Sequence, residues 1–375
     1  MKKKIVIIGC GFAGSTAAKI LSRFKKEAEV IVIDKRQTFD FLPTIPDIIG
    51  RNIPPQSLTY PIAKLAEGLK FDFINEEVKG IDLSVNTVTT MRQNFNYDYL
   101  LIASGSETNF YGNGEIGKVA YRLDSVAAAT AILEALRGKK FDSCVVAGGG
   151  YTGIEIASGL RMHFHRNALH KKITIVERAG SILGPLPEWM KAYTAHNLRN
   201  NLGVNIITDT VVDKAADGKV IFSDGRVFEN TMLIWVAGVK TADFISGIGL
   251  EKNAQGRLKV DEYMKIRDNC FVAGDCANVE HRGNFLRMAV QFSIYGSVFA
   301  AGNIIRSIRG QELRKYRPID VGYIIPMANN RSCGQVLGIN VKGNAATALH
   351  FMMCIYRSQG IKNKLGLTGD LLMTR

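Results

Sequence analysis

The chain has no CxxC pair and no cysteine–histidine spacing of the kind that ligates a metal; its six cysteines stand at 10, 144, 270, 276, 333 and 354. No dithiol relay and no metal site are therefore expected. Several of these cysteines sit inside apolar, strand-like runs, where inert buried thiols are usually found, and the pattern suits a reducing compartment. No run of about 18 charge-free, strongly apolar residues occurs, so no membrane span is expected. The nearest approach, residues 288–305, carries Gln291, Ser293, Ser297 and Asn303 and reads as a packed internal helix. Lys2, Lys3 and Lys4 run straight into an apolar strand, leaving no room for a secretory leader. The chain also lacks a lysine-rich tail, an RNA-binding signature and zinc-finger spacing. Its formal charge of +14, from 48 Lys plus Arg against 34 Asp plus Glu, points to phosphate-bearing cofactors or acidic lipid headgroups rather than nucleic acid.

What is present begins at the N-terminus. An apolar fraction of 46% with 22% charged residues is ordinary globular chemistry, and 375 residues suggest two or three domains. Residues 5–8 form a β-branched run without polar alternation, as expected of a strand buried on both faces of a parallel sheet. Gly9, Gly11 and Gly14 then complete GxGxxG: the first allows the tight turn, the second admits a pyrophosphate against the backbone, and the third lets the following helix pack close. That helix, expected over residues 15–24, aims its N-terminal N–H groups at the phosphate. A second strand over 30–33 ends in Asp34, twenty residues beyond Gly14, where a carboxylate takes ribose hydroxyls.

The same unit occurs twice. Residues 144–147 are strand-like, GGGYTG repeats the motif at Gly148, Gly150 and Gly153, residues 154–166 are helical, and a strand over 173–176 ends in Glu177. Two copies mean two dinucleotides, and an acid at 177 favours NADH over NADPH because it repels a 2′-phosphate. Between the copies, prolines at 43, 46, 54, 55 and 61 break any long helix, so a loop and short elements are expected there. Residues 71–81 and 87–91 read as edge β structure, and 99–103 as a buried strand ending in Ser104 and Gly105. Further strands over 232–236 and 270–273 run into Ala237-Gly238 and Gly274-Asp275. Asp275 suits a ribityl or ribose hydroxyl and equally reads as a plain helix N-cap.

Taken in order, these pieces resemble the two-dinucleotide flavoprotein superfamily of pyridine-nucleotide oxidoreductases, and within it the type II NADH dehydrogenases. The resemblance is carried by FLPTIPDIIG (41–50), YDYLLIASGSETNF (97–110), GGGYTGIE with Glu155, LIWVAGVK (233–240), FVAGDCA (271–277) and the basic C-terminal end. It implies an α/β fold of two Rossmann-like domains plus a short C-terminal amphipathic helical region. The implied boundaries are 1–112 and 251–325 for an FAD-binding domain, 113–250 for an inserted NAD(H)-binding domain, and 326–375 for a membrane-surface or dimer region. FAD is then held by Gly9, Gly11, Gly14, Asp34, Lys35, Val78, Ser104, Gly105, Gly274 and Asp275, and NADH by Gly148, Gly150, Gly153, Glu177, Ala237 and Gly238. Glu155 matches the family's glutamate beside the nicotinamide, though on sequence alone it equally reads as a solvated helix residue. The family's AQxxxQQG helix, whose glutamines face the quinone, corresponds to VQFSIYGS (290–297). Gln291 matches the first glutamine; Tyr295 and Gly296 stand where the others belong. Tyr295 could bond and stack on a quinone, or simply fill a helix interface.

The expected activity is hydride transfer from NADH to FAD and on to a quinone, without metal and without proton pumping, at the cytoplasmic side of the cell membrane. At the C-terminal end Leu349, Met352, Met353 and Tyr356 fall at helical spacing, while Arg357, Lys362, Lys364 and Arg375 outnumber Asp370. Such a stripe lies on an anionic bilayer surface, or packs in a homodimer, which the resemblance also implies. A sulfide:quinone oxidoreductase would need two cysteines at the flavin, for which only Cys333 and Cys354 lie late enough; Cys10 and Cys144 belong to the nucleotide units. A slow-turnover FAD- and NADH-binding redox sensor is the reading from another class.

Overall fold

The computed structural model describes residues 1–138 and 141–373; Arg375 of the basic C-terminal end lies outside the described residues. The chain divides into two compact units, each assembled from separate segments.

The first unit comprises Met1–Phe39, Tyr60–Glu107 and Val239–Asp320. Its six-stranded sheet runs in the order Lys265–Arg267, Cys270–Val272, Tyr99–Ile102, Lys3–Ile8, Ala28–Ile33, Asp72–Ile74, parallel except for the first pairing. Ile5, Val6 and Ile7 are fully buried, as their unbroken apolar run requires of a central strand. Ile8 sits opposite both Ile33 and Ile102, so three strands end level and deliver Gly9, Asp34 and Ala103 to one edge of the sheet. Helix Phe12–Leu21 packs on Val290–Ile308, the internal helix expected from the sequence, and small residues (Ala13, Ala17, Ala18 and Ala300, Ala301) are buried on the two. The expected edge structure divides: Asp72–Ile74 joins the main sheet, while Val78–Asp82, Thr87–Thr90 and Asn94–Asn96 form an antiparallel sheet of their own.

The second unit comprises Asp40–Thr59, Thr108–Gly238 and Val321–Arg375. Its sheet is parallel throughout, in the order Tyr121–Arg122, Thr231–Trp235, Ser143–Ala147, Lys172–Val176, Val204–Ile207. Ala147 faces Val176 and Trp235, which repeats the level ending of the first unit. Beyond it come an antiparallel sheet of Gly322–Ile325, Cys333–Val336 and Ile339–Lys342, and then helices Gly343–Arg357 and Ile361–Met373. The C-terminal region is thus a β-sheet followed by two helices, where the sequence suggested helices alone.

Three assignments differ from the sequence reading for identifiable packing reasons. Residues 40–59 group with the second unit, because the short helix Asp47–Gly50 packs on helix Tyr151–Arg166. Residues 239–250 group with the first unit, where the turn Asp243–Ile245 packs on strand Val78–Asp82 and Ile245 is fully buried. The glycine-loop helices start at Phe12 and Tyr151, not at 15 and 154, since Gly11 and Gly150 already serve as their N-caps.

The contact between the two helices at 47–50 and 151–166 is backbone against backbone. A Cβ on Gly50 would lie 2.9 Å from Gly159 Cα, and one on Gly159 would lie 3.2 Å from Gly50 Cα. Gly159→Val is therefore expected to cost about 1–3 kcal/mol of stability through overpacking, read as a lowered denaturant midpoint; an unchanged midpoint contradicts this packing.

Candidate functional site

Each unit carries a cradle at the carboxyl edge of its sheet, and the two are built alike. In the first, Gly9 has φ +94°, and a Cβ there would lie 2.4 Å from Ala103 O; a Cβ on Gly14 would lie 1.8 Å from Gly9 O. Nothing lies within 4 Å of a Cβ placed on Gly11, so the helix N-terminus opens onto free space. In the second, Gly148 has φ +113° with Val236 O at 2.7 Å from its would-be Cβ, a Cβ on Gly153 would lie 1.9 Å from Gly148 O, and Gly150 is open. These are the close approaches that a pyrophosphate-binding turn demands.

The terminal acids brace both loops. Asp34 accepts from Cys10 N (2.6 Å) and Arg36 N (2.8 Å); Glu177 accepts from Gly149 N (2.7 Å) and Ala179 N (2.9 Å). Burial pushes the Asp34 carboxyl above its usual range, and the two backbone N–H groups and the charges of Arg36 and Lys35 oppose that rise. Each carboxylate keeps lone pairs for ribose hydroxyls.

The remaining residues singled out in the first unit fall as follows. Gly274 has φ +81° and sits against Ala13, and Asp275 accepts from Ser106 Oγ (3.1 Å) and Ser293 Oγ (3.4 Å). Burial raises the Asp275 carboxyl, eased by Ser106, Arg257 and Ser293. Ser104 and Gly105 follow strand Tyr99–Ile102, Gly105 with φ +69°. Lys35 pairs with Glu107 and Glu77 at the surface, and Val78 is buried at a bulge in its sheet. Arg257, which the sequence reading missed, is buried and donates to the carbonyls of Asp275, Ala277 and Leu286, fixing the Gly274-Asp275 turn. In the second unit, Gly238 follows Ala237 beneath Tyr111, whose hydroxyl donates to Ala237 O at 3.2 Å.

On helix Val290–Ile308, Gln291 Nε2 donates to Asp320 Oδ1 (2.9 Å), and Arg287 binds both oxygens of the same carboxylate at 2.5 and 2.8 Å. Tyr295 packs edge-on against Phe299 (5.2 Å) and tilted against Tyr316 (5.9 Å). The buried Tyr316 hydroxyl has no hydrogen-bond partner among the described residues, and it lines a small cavity with Arg257, Asp275, Phe292 and Ser293.

Glu155 lies one turn into helix Tyr151–Arg166, in mostly buried surroundings that raise its carboxyl well above the usual range; the charge of Asp47 adds to the rise. Asp47 is buried and paired with Arg51 Nε at 3.1 Å, and burial pushes it to about 6 against that pairing. The sequence reading passed over both; the one available signal was their i, i+4 spacing in DIIGR. Among the described residues no His/Cys/Asp/Glu cluster suits a metal ion.

A family profile described as pyridine nucleotide-disulphide oxidoreductase matches residues 3–294. A demethylphylloquinone reductase of Synechocystis is 25% identical over 380 residues, covering 95% of this chain and 92% of its own. A type II NADH:quinone oxidoreductase of Staphylococcus saprophyticus is 24% identical over 374 residues, covering 92% of each. NDH2 from Plasmodium falciparum, solved in complex with NADH, matches with a TM-score of 0.85 at 17% identity over 100% of this chain and 98% of its own, a likeness of fold.

A methyl group at Gly153 meets Gly148 O at 1.9 Å. Gly153→Ala is expected to weaken dinucleotide binding to the second cradle at least about tenfold, or about 1.4 kcal/mol, in a calorimetric titration. An unchanged Kd contradicts this cradle geometry.

Proposed function

The chain belongs to the pyridine nucleotide-disulphide oxidoreductase family, and on that premise we propose that it oxidises NADH through FAD and reduces a quinone. The observation that carries the reading is the duplicated cradle, each copy closed by its own acid. The relatives named for quinone reduction, matched over 92% or more of both chains, favour a quinone as acceptor.

FAD fits the first unit: Gly9, Gly11 and Gly14 leave room for its pyrophosphate, Asp34 for its adenosine ribose and Asp275 for its ribityl chain, with Lys35, Val78, Ser104, Gly105 and Gly274 around it. NADH fits the second, on Gly148, Gly150, Gly153, Glu177, Ala237 and Gly238. Bound there, FAD supplies a two-electron carrier between nicotinamide and quinone. The protein's part is orientation and exclusion of water, which carry most of the work in hydride transfer. Glu155, its carboxyl raised well above the usual range by burial, stands one turn into the helix that opens the second cradle. Gln291, braced by Asp320 and Arg287, and Tyr295 offer the polar and aromatic contacts for a quinone. All six cysteines are buried free thiols, so electrons leave for the acceptor without a disulfide relay.

Among the described residues no helix is long and apolar enough to cross a membrane. The second unit nevertheless exposes Leu337 and Ile339 on a hairpin, Met352 and Tyr356 on helix Gly343–Arg357, and Ile361 and Leu365 on helix Ile361–Met373, with Lys362 and Lys364 beside them. That surface suits peripheral attachment to an anionic membrane on its cytoplasmic side, with protons not moved across it; a homodimer contact is the competing use of the same face.

Anaerobic stopped-flow mixing with NADH should bleach the flavin band, and a soluble quinone should restore it much faster than air does; recovery no faster than autoxidation sinks the quinone reading. The wild-type protein should sediment with phosphatidylglycerol vesicles and not with phosphatidylcholine. Paired Leu337→Ser and Ile339→Ser changes should weaken that binding without altering bleaching by NADH. Equal recovery from both vesicle types contradicts the membrane reading.

A further inference from the structure

Tyr316 lies in the irregular stretch that follows helix Val290–Ile308, yet its place in the first unit is fixed on several sides. Its backbone N–H donates to Glu262 O (2.6 Å), and Lys315 pairs with the Glu262 carboxylate at 2.8 Å. Two residues back, Arg314 exchanges hydrogen bonds with the buried Asn303 of the helix: Arg314 N–H donates to Oδ1 at 2.8 Å, and Asn303 Nδ2 donates to Arg314 O at 2.9 Å. The Tyr316 ring packs on Phe299 (5.3 Å) and Tyr295 (5.9 Å), and a Cβ on Gly296 would lie 3.9 Å from its hydroxyl. The residue is 7% exposed, and its hydroxyl meets no hydrogen-bond partner among the described residues. A buried hydroxyl left unpaired costs its full desolvation, so a ring pinned this firmly points its oxygen at a polar group that completes it.

The small cavity that Tyr316 shares with Asp275, Ser293 and Arg257 limits what that group is. Arg257 donates to the carbonyls of Asp275, Ala277 and Leu286, so its guanidinium builds the wall. Ser293 and Gly296 stand three residues apart, on one face of the helix and about 4.5 Å apart along its axis. Ser293 Oγ reaches Asp275 Oδ1 at 3.4 Å, while Gly296 underlies the Tyr316 hydroxyl. That offset is too wide for a direct hydrogen bond and suits one bridging water. Burial raises the Tyr316 hydroxyl above its ordinary range, so it remains a donor, and the half-buried Asp275 carboxylate is the acceptor within the cavity.

We propose that Tyr316 is a positioning residue for FAD: its hydroxyl, bridged by one water to the Asp275 carboxylate, holds that carboxylate in the orientation that takes the ribityl hydroxyls. The inference rests on the assignment of FAD to the first cradle and of Asp275 to its ribityl chain. Ser106 and Ser293 reach Asp275 by long bonds, 3.1 and 3.4 Å, and the bridged tyrosine adds a donor anchored in the helix packing. A carboxylate set beforehand gives up less freedom when the cofactor arrives, and that saving appears as slower release.

The test follows FAD release from the diluted holoenzyme by the rise in flavin fluorescence. Tyr316→Phe keeps the ring and its packing, and it should release FAD at least about fivefold faster with the far-ultraviolet circular dichroism of wild type. Phe299→Leu disturbs the same ring cluster without removing a hydroxyl, and it should leave release within about twofold of wild type. In the Asp275→Asn background, Tyr316→Phe should add less than about twofold, since the tyrosine acts through that carboxylate. Unchanged release in Tyr316→Phe, equal acceleration in Phe299→Leu, or effects of Tyr316→Phe and Asp275→Asn that multiply overturns the proposal. Asp275→Asn releasing FAD at the wild-type rate overturns the parent assignment of Asp275 to the cofactor, and the proposal falls with it.

Discussion

The contact on which both nucleotide cradles depend is between backbone atoms: the carbonyl oxygen of the first glycine of each motif lies where the third glycine's Cβ would be. At 1.8 and 1.9 Å no side chain can be accommodated, so the helix packs against its own turn and presents its first N–H groups to open space at Gly11 and Gly150. The strand ending in Asp34 or Glu177 then completes the cradle, because its carboxylate caps the amide just beyond the first glycine. Strand register does the rest. Level endings at Ile8, Ile33 and Ile102, and at Ala147, Val176 and Trp235, bring the turn, the acid and the closing loop of each unit together.

Electrostatics separates what the backbone makes alike. Asp34 and Asp275 are half-buried acids supplied with hydrogen-bond donors from nearby loops and hydroxyls, which offset part of the desolvation cost. Asp47 has the one guanidinium of Arg51 set against its burial, while Glu155 is raised well above the usual range by burial, with the charge of Asp47 adding to the rise.

Much of this was legible in the chain because glycine and acid spacing report backbone geometry directly. The β-branched runs before each GxGxxG, the second copy with its terminal Glu177, and the internal helix around Gln291 all follow from local pattern, and local pattern decides them. The segment around Asp47 was not legible: prolines at 43, 46, 54 and 55 mark it as broken chain, and nothing local says that Gly50 will meet Gly159, over a hundred residues on. Gln291 could be placed on a helix, but its bond to Asp320, 29 residues away, belongs to tertiary packing. The same holds for Arg257, an arginine between loop residues until the fold surrounds it with carbonyls.

The measurement that tests the two-cradle account most directly is a cofactor count followed by titration. The purified chain should carry one FAD, released on denaturation, and in that state should bind NADH once per chain, with NADPH at least about tenfold weaker because Glu177 repels its 2′-phosphate. NADH that displaces the flavin, or that binds only to flavin-free protein, would mean one dinucleotide site in place of two and would contradict the account.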